Sequence, residues 1–295
     1  MVFTIKKVIK LAKNAGFCYG VKRAVDTTKK IKKENPSKEV NVLGELIHNS
    51  HVISELENLG IKTINSLQPN STGVCIVRSH GESNDVFKQI KECGYELVDL
   101  TCLDVKKVQS KAIELAQDGY FVIILGKSEH PEVKAISTNA REFAKFDEQV
   151  YVANDIQSLK NIEEKIKKAK KIGVVLQTTQ TKEFLFQVVD YLTTICKVLR
   201  VENTICPSTS LRQNEAKKLA KESDLMVVVG SKKSANTTHL AELLTKITTT
   251  IHIEHQDELD NYINEIKKAQ NIGVTAGAST PDYIINKVIE KLENI

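Results

Sequence analysis

Tryptophan is absent from this 295-residue chain and aromatic residues make up only 5% of it. A nucleic-acid surface of stacking rings interleaved with basic side chains is therefore not expected. No apolar run approaches the roughly 20 residues of a membrane span. The start, MVFTIKKVIKLAK, lacks the long apolar core and small-residue cleavage site of a secretory signal. The expectation is a cytoplasmic protein that engages neither membrane nor nucleic acid. Close cysteine pairs are missing as well: cysteines stand at 18, 75, 93, 102, 196 and 206, and none forms a CxxC. That removes the usual zinc knuckle and the dithiol redox motif. A chain of this size in a reducing compartment needs no disulfide staples, so its cysteines are expected to be thiols or metal ligands.

Hydrophobic residues at 41% supply ample core, and the length points to two or three units or one large α/β domain. The net charge of +5 comes largely from lysine runs such as KKIKKEN (29 to 35) and EEKIKKAKK (163 to 171). These read as solvated helix faces, which at most help an anionic substrate or acidic partner to dock.

One pattern occurs three times. After Cys18, Val21, Ala24, Val25, Thr28 and Ile31 recur at helical spacing, an apolar run follows that ends at Gly44, and His48 lies four residues on. After Cys102, Val105, Val108, Ala112 and Leu115 lead to YFVIILG ending at Gly126, then His130. After Cys206, SLRQNEAKKLAKE leads to LMVVVG ending at Gly230, then Ser234. In this third helix Ser210 and Gln213 are spaced as a capping box. Cysteine and glycine are 26, 24 and 24 residues apart, so the copies align almost without gaps.

The second halves agree too. The runs GVCIV (73 to 77), GVVL (173 to 176) and GVTA (273 to 276) end in polar loops carrying His80, Thr178 and Ser279, and a helical pattern follows each. Each cysteine is itself preceded by a strand-like run, VIKLA (8 to 12), YELVDL (95 to 100) or KVLRV (197 to 201). Alternating strands and helices, with apolar runs suited to strands buried on both faces, predict α/β units with parallel sheets. The units fall at 20–103, 104–204 and 205–295, with segment 1–19 packing on the third. Ligands gather at the carboxyl ends of such strands, where all of these polar residues fall.

Three related units can close around a pseudo-three-fold axis, which would bring Cys18, Cys102 and Cys206 together. Three thiolates suit a [4Fe–4S] cluster with one iron left open, whereas structural zinc takes four ligands. Cys75, Cys93 and Cys196 have no counterparts in the other repeats and read as small buried hydrophobes. His48, His80, His130, Thr178, Ser234, Asn236 and Ser279 offer hydrogen-bond donors at repeat-equivalent strand ends, a set able to hold a phosphate or diphosphate. In GKSEHPEV, Glu132 follows a proline in a first helical turn; a carboxylic acid screened there from water suits a general acid. His51, His239, His252 and His255 read as surface or packing residues.

At AGFCYGVKRAV, GELIHNS, SHGE, DLTCLDVKKV, GKSEHPEV, QTTQT, ICPSTSLRQ, VVVGSKKSAN and VTAGASTPD the chain resembles the 4-hydroxy-3-methylbut-2-enyl diphosphate reductases, the LytB/IspH family that ends the non-mevalonate isoprenoid pathway. The matching segments run from residue 15 to 282 in the family's order. The resemblance implies a trefoil of three pseudo-equivalent α/β domains around a central iron–sulfur cluster held by Cys18, Cys102 and Cys206. It implies a substrate hydroxyl on the open iron and a diphosphate held by His48, His80, Ser234, Asn236 and Ser279, with His130 lining the pocket. Glu132, aided by Thr178, would relay protons. Two electrons and two protons then remove the hydroxyl as water, giving isopentenyl and dimethylallyl diphosphates, with ferredoxin or flavodoxin as electron donor. One departure stands out: Ser234-Ala235-Asn236 replaces the Ser-Ser-Asn of many members, so one hydroxyl is missing near the diphosphate. Two rivals are a three-cysteine cluster enzyme for carboxylate substrates, such as quinolinate synthase, and a metal-holding sensor or scaffold. Few arginines, with only Arg78, Arg212 and Arg23 near the expected site, favour the diphosphate.

Overall fold

The computed structural model describes residues 7–295. In chain order its strands are β1 (Val8–Leu11), β2 (Val40–Leu43), β3 (Ile61–Ile64), β4 (Val74–Val77), β5 (Glu96–Asp99), β6 (Phe121–Leu125), β7 (Val150–Ala153), β8 (Ile172–Leu176), β9 (Leu199–Val201), β10 (Leu225–Val229), β11 (Thr249–Ile253) and β12 (Asn271–Ala276). Its α-helices are α1 (Tyr19–Glu34), α2 (Ser50–Asn58), α3 (Asn84–Glu92), α4 (Leu103–Gln117), α5 (Pro131–Glu142), α6 (Ile156–Lys160), α7 (Glu163–Lys168), α8 (Lys182–Thr193), α9 (Pro207–Ala220), α10 (Ala235–Leu244), α11 (Ile263–Lys268) and α12 (Asp282–Glu293).

The strands form three parallel four-stranded sheets, ordered β3-β2-β4-β5, β7-β6-β8-β9 and β11-β10-β12-β1. The fold class is therefore α/β, with one strand order used three times. The first strand of the chain completes the last sheet: β1 pairs with β12 as β5 pairs with β4 and β9 with β8. The central strands β4, β6, β8 and β10 are buried along their whole length, as continuous apolar runs covered on both faces must be. Each fully buried Ile, Leu or Val on them, such as Ile123, Ile124 and Leu125, contributes about 1.5–3 kcal/mol.

β3, β7 and β11 have no antecedent in the sequence reading. IKTI and TTIHI mix polar and apolar residues because each strand lies at a sheet edge, where a face open to water needs no apolar run. The predicted capping box also gives way. α9 begins at Pro207, three residues before Ser210, because proline's fixed φ and missing N–H suit the first helical position; Gln213 is buried within the helix instead.

The chain divides into two compact units. One holds the described residues up to Lys22, Ile47–Glu55 and Pro207–Ile295, and is built on the sheet of β1, β10, β11 and β12. Its core joins Val227, Val229, Ile253 and Val274 to Ile284, Val288 and Leu292 of α12. The other holds Arg23–Leu46 and Leu56–Cys206, with the remaining two sheets. There Val108, Ala112 and Leu115 of α4 pack against Val122, Ile124 and Val175 and against Val133 and Ile136 of α5, so the helical spacing after Cys102 is a buried face. Among the described residues, no helix is long and apolar enough to cross a membrane.

Candidate active site

Each of the three repeated cysteines stands immediately before a helix: Cys18 before α1, Cys102 as the N-cap of α4 and Cys206 before α9. None of the chain's cysteines is in a disulfide. Backbone N–H groups lie unpaired within the helix at such starts, although the Cys102 side chain itself makes no capping bond.

In the unit built on β2 to β9, six of the residues singled out by the sequence meet through one connected set of contacts. β6 ends before Gly126, and four residues later His130 is the N-cap of α5; its Nδ1 accepts from the Glu132 N–H at 3.2 Å. Pro131 opens the helix, which puts Glu132 in the first turn, 2% exposed. Thr178, two residues beyond β8, holds both carboxylate oxygens: its N–H donates to Oε1 at 2.7 Å and its hydroxyl to Oε2 at 2.9 Å. The Thr178 carbonyl accepts the Cys206 N–H at 2.9 Å. Cys206 Sγ donates to Asp104 Oδ2 at 2.9 Å, and Asp104 lies two residues after Cys102 in the first turn of α4. The Cys102 N–H donates to the Ser79 carbonyl at 3.0 Å, and His80, next to Ser79, meets His130 edge-on with ring centroids 5.4 Å apart.

Burial pushes the Glu132 carboxyl up to about 7, against the two Thr178 donors that favour its charged form, and the nearby negative Asp104 adds to the rise. A proton is thus available at neutral pH on a group fixed in orientation and shielded from water.

In the other unit, the Cys18 N–H donates to the Ala278 carbonyl at 3.2 Å, and Cys18 Sγ accepts from the Val21 N–H at 3.5 Å. Ser279, beyond the end of β12, donates its hydroxyl to the His48 carbonyl at 3.3 Å, while Asn49 Nδ2 donates to the Ser279 carbonyl at 2.9 Å. Ser234 and Asn236 lie at the start of α10, after β10, the strand beside β12. The Ser234 side chain makes no capping bond, and Asn236 Nδ2 is buried without a partner. A buried donor left unpaired costs roughly 1–3 kcal/mol, so this helix start carries an amide that no acceptor among the described residues satisfies. The loops after β10 and β12 press together here: Gly230 has φ +141°, and a Cβ on Gly277 would stand 1.9 Å from Thr237 Oγ1.

The remaining polar residues settle into structural places. Arg212 is buried and donates to three backbone carbonyls, Arg23 donates to the carbonyls of Leu100 and Thr101, and Arg78 pairs with Glu82 at 2.8 Å. Cys75 is buried within β4, Cys93 packs half-buried against the same cluster, and Cys196 packs half-buried against the cluster that includes β8. His252 Nε2 meets the Gly230 carbonyl at 2.9 Å, His51 meets His255 edge-on at 6.0 Å, and His239 is buried in α10. Two site residues escaped the sequence reading: Asp104 and Asn49. Their only signal was position, two residues after Cys102 and one after His48.

The family model described as "LytB protein" matches residues 9–293. The chain belongs to the LytB family. A LytB relative from Clostridium tetani, named 4-hydroxy-3-methylbut-2-enyl diphosphate reductase, is 41% identical over 290 residues, covering 96% of this chain and 43% of that protein, so the chain spans less than half of that relative. A relative of the same name from Clostridioides difficile is 38% identical over 289 residues, covering 97% of this chain and 99% of its own. The solved structure of (E)-4-hydroxy-3-methyl-but-2-enyl diphosphate reductase, "the terminal enzyme of the non-mevalonate pathway", superimposes with a TM-score of 0.70 at 35% identity, covering 98% of this chain and 100% of that one. The three parallel sheets are thus those of the LytB fold.

Proposed function

We propose that this LytB-family chain is a 4-hydroxy-3-methylbut-2-enyl diphosphate reductase. The observation that carries the reading is Glu132, a buried acid gripped at both oxygens by Thr178, whose carbonyl in turn holds Cys206. A general acid one residue away from a cysteine ligand is what reductive loss of a hydroxyl needs.

Cys18, Cys102 and Cys206 would hold the [4Fe–4S] cluster. The donor set fits, since soft thiolate sulfur is the cluster's usual ligand and none of the three is committed to a disulfide. When bound, the cluster supplies electrons and an open iron that acts as a Lewis acid toward the substrate hydroxyl. Glu132 holds a proton on its carboxyl and delivers it to the departing hydroxyl, which leaves as water; Thr178 keeps the carboxyl aimed and helps to replace the proton. The balance is two electrons and two protons taken up, one C–O bond broken, one C–H bond and one water formed. Ser234, Asn236 and Ser279, with His48, His80 and His130, would bind the diphosphate by donating hydrogen bonds. The unpaired Asn236 amide supports that role. The prior commitment of Arg23, Arg78 and Arg212 speaks against a carboxylate substrate, for which a guanidinium fork is the usual partner. Reduced ferredoxin or flavodoxin is the proposed donor.

The test is anaerobic assay with the hydroxylated C5 diphosphate and a chemical reductant. The expected result is brown protein with about four irons per chain that forms both isopentenyl and dimethylallyl diphosphates. Colourless protein holding one zinc, or cluster-loaded protein without turnover, overturns the reading.

A further inference from the structure

We infer that Arg23 and Arg212, the latter with Glu215, are positioning residues for the cysteine ligands, each lying on the helix that follows one of the three cysteines and fixing the segment that leads into another. The inference rests on the cluster reading above.

Arg212 lies on α9, six residues after Cys206, and is 3% exposed. Its guanidinium donates to the carbonyls of Gly16 at 2.9 Å, Ala276 at 2.8 Å and Asn14. Glu215, nearly one turn further on, accepts from the N–H groups of Lys13 at 2.6 Å and Asn14 at 2.8 Å, and from the Asn14 side-chain amide at 2.7 Å. The segment 13–16 is therefore held at both polarities, carbonyls by the guanidinium and amides by the carboxylate. Cys18 follows two residues beyond Gly16. An irregular loop has no ladder to satisfy its peptide groups, and here two charged side chains take the ladder's place.

Arg23 repeats the arrangement elsewhere. It lies on α1, five residues after Cys18, and donates to the carbonyls of Thr101 at 2.7 Å and Leu100 at 3.3 Å. Thr101 immediately precedes Cys102, is 1% exposed, and is held from its other side through its N–H, which donates to Asp99 Oδ1 at 2.9 Å. Among the described residues the third junction has no such arginine: in the metal-free chain the Cys206 thiol donates to Asp104 of α4 at 2.9 Å, a bond that ligation of the sulfur would remove. In both arginine junctions the helix that follows one cysteine holds the approach to another: α1 after Cys18 holds the approach to Cys102, and α9 after Cys206 holds the approach to Cys18.

Arginine suits this work because its planar fork fixes several carbonyls at set angles, which one ammonium does not. Misplacing a ligand by about 1 Å matters more to a metal site than to the stability of the surrounding sheet.

The variants to compare with wild type are Arg23→Gln, Arg212→Gln, Arg212→Lys and Glu215→Gln, each purified anaerobically and reconstituted with iron and sulfide. In the metal-free proteins, Glu215→Gln should speed hydrogen exchange at the Lys13 and Asn14 amides at least tenfold while the melting temperature changes little. In the reconstituted proteins, both arginine-to-glutamine variants should retain at least threefold less iron through gel filtration, and the reduced cluster that remains should give an altered EPR spectrum. Arg212→Lys should recover the stability of the apoprotein but not the iron. Wild-type iron and an unchanged spectrum in Arg23→Gln and Arg212→Gln overturn the inference, and so does iron loss that merely tracks the unfolded fraction. A wild-type chain that takes up no cluster overturns the cluster reading itself, which distinguishes the two failures.

Discussion

At the scale of single residues, the site turns on Glu132. The folded chain keeps its proton up to about pH 7, whereas an unfolded chain releases it near 4.5. The native state therefore binds the extra proton between those values, so stability falls as pH rises through that window and levels off above it. The shift corresponds to roughly 3–4 kcal/mol at about 1.4 kcal/mol per unit. Chemical denaturation of the metal-free protein from pH 4 to 8 should show this decline in wild type, and the difference from Glu132→Gln should isolate it. The same variant should keep cluster and substrate binding yet lose about 10²- to 10⁴-fold in turnover, the usual reach of general acid catalysis. Thr178→Val removes a donor that favours the carboxylate, so the upper end of the stability window should move above that of wild type. Ala235, at the first position of α10, carries the opposite kind of prediction. Ala235→Ser adds a hydroxyl beside the unpaired Asn236 amide and should tighten substrate binding by about 0.5–1.5 kcal/mol, read as a fall in KM.

At the scale of elements, the site is made by strand ends and helix starts rather than by any one motif. The turn after β10 tolerates no side chain at Gly230, where φ is +141° and a Cβ would come within 2.3 Å of Thr280 Oγ1. Gly277→Ala drives a methyl into Thr237 and should destabilise the protein by about 1–3 kcal/mol, measured as a lower melting temperature, while disturbing the loop that carries Ser279. Elements that are apolar throughout could be read in the sequence: VIIL in β6 and VVV in β10 are buried strands, and Val105, Val108, Ala112 and Leu115 form the buried face of α4. Among the edge strands, β1, β5 and β9 were legible as the runs before the cysteines, whereas β3 and β11 were not. Lys62 and Thr63 in β3, or Thr249 and Thr250 in β11, look like loop residues until a neighbouring strand supplies the hydrogen bonds.

At the scale of the whole molecule, each sheet has an apolar core of its own, and among the described residues Cys18, Cys102 and Cys206 belong to none of these cores. If the proposed cluster is bound, its oxidative loss should therefore leave far-UV circular dichroism nearly unchanged while abolishing activity, unlike a zinc finger, which unfolds without its metal. The sequence by itself determined the class of fold, the threefold use of one α/β unit and the place of Cys18, Cys102 and Cys206 ahead of three helices. Periodicity and spacing record local geometry, so a repeat is legible wherever its helices and buried strands are. Only the tertiary structure decided that β1 closes the sheet of β12, that Glu132 is gripped by Thr178, and that Asp104 meets Cys206 across 102 residues of chain. Those pairings join groups remote in sequence through directional hydrogen bonds, and a direction in space leaves no period along the chain.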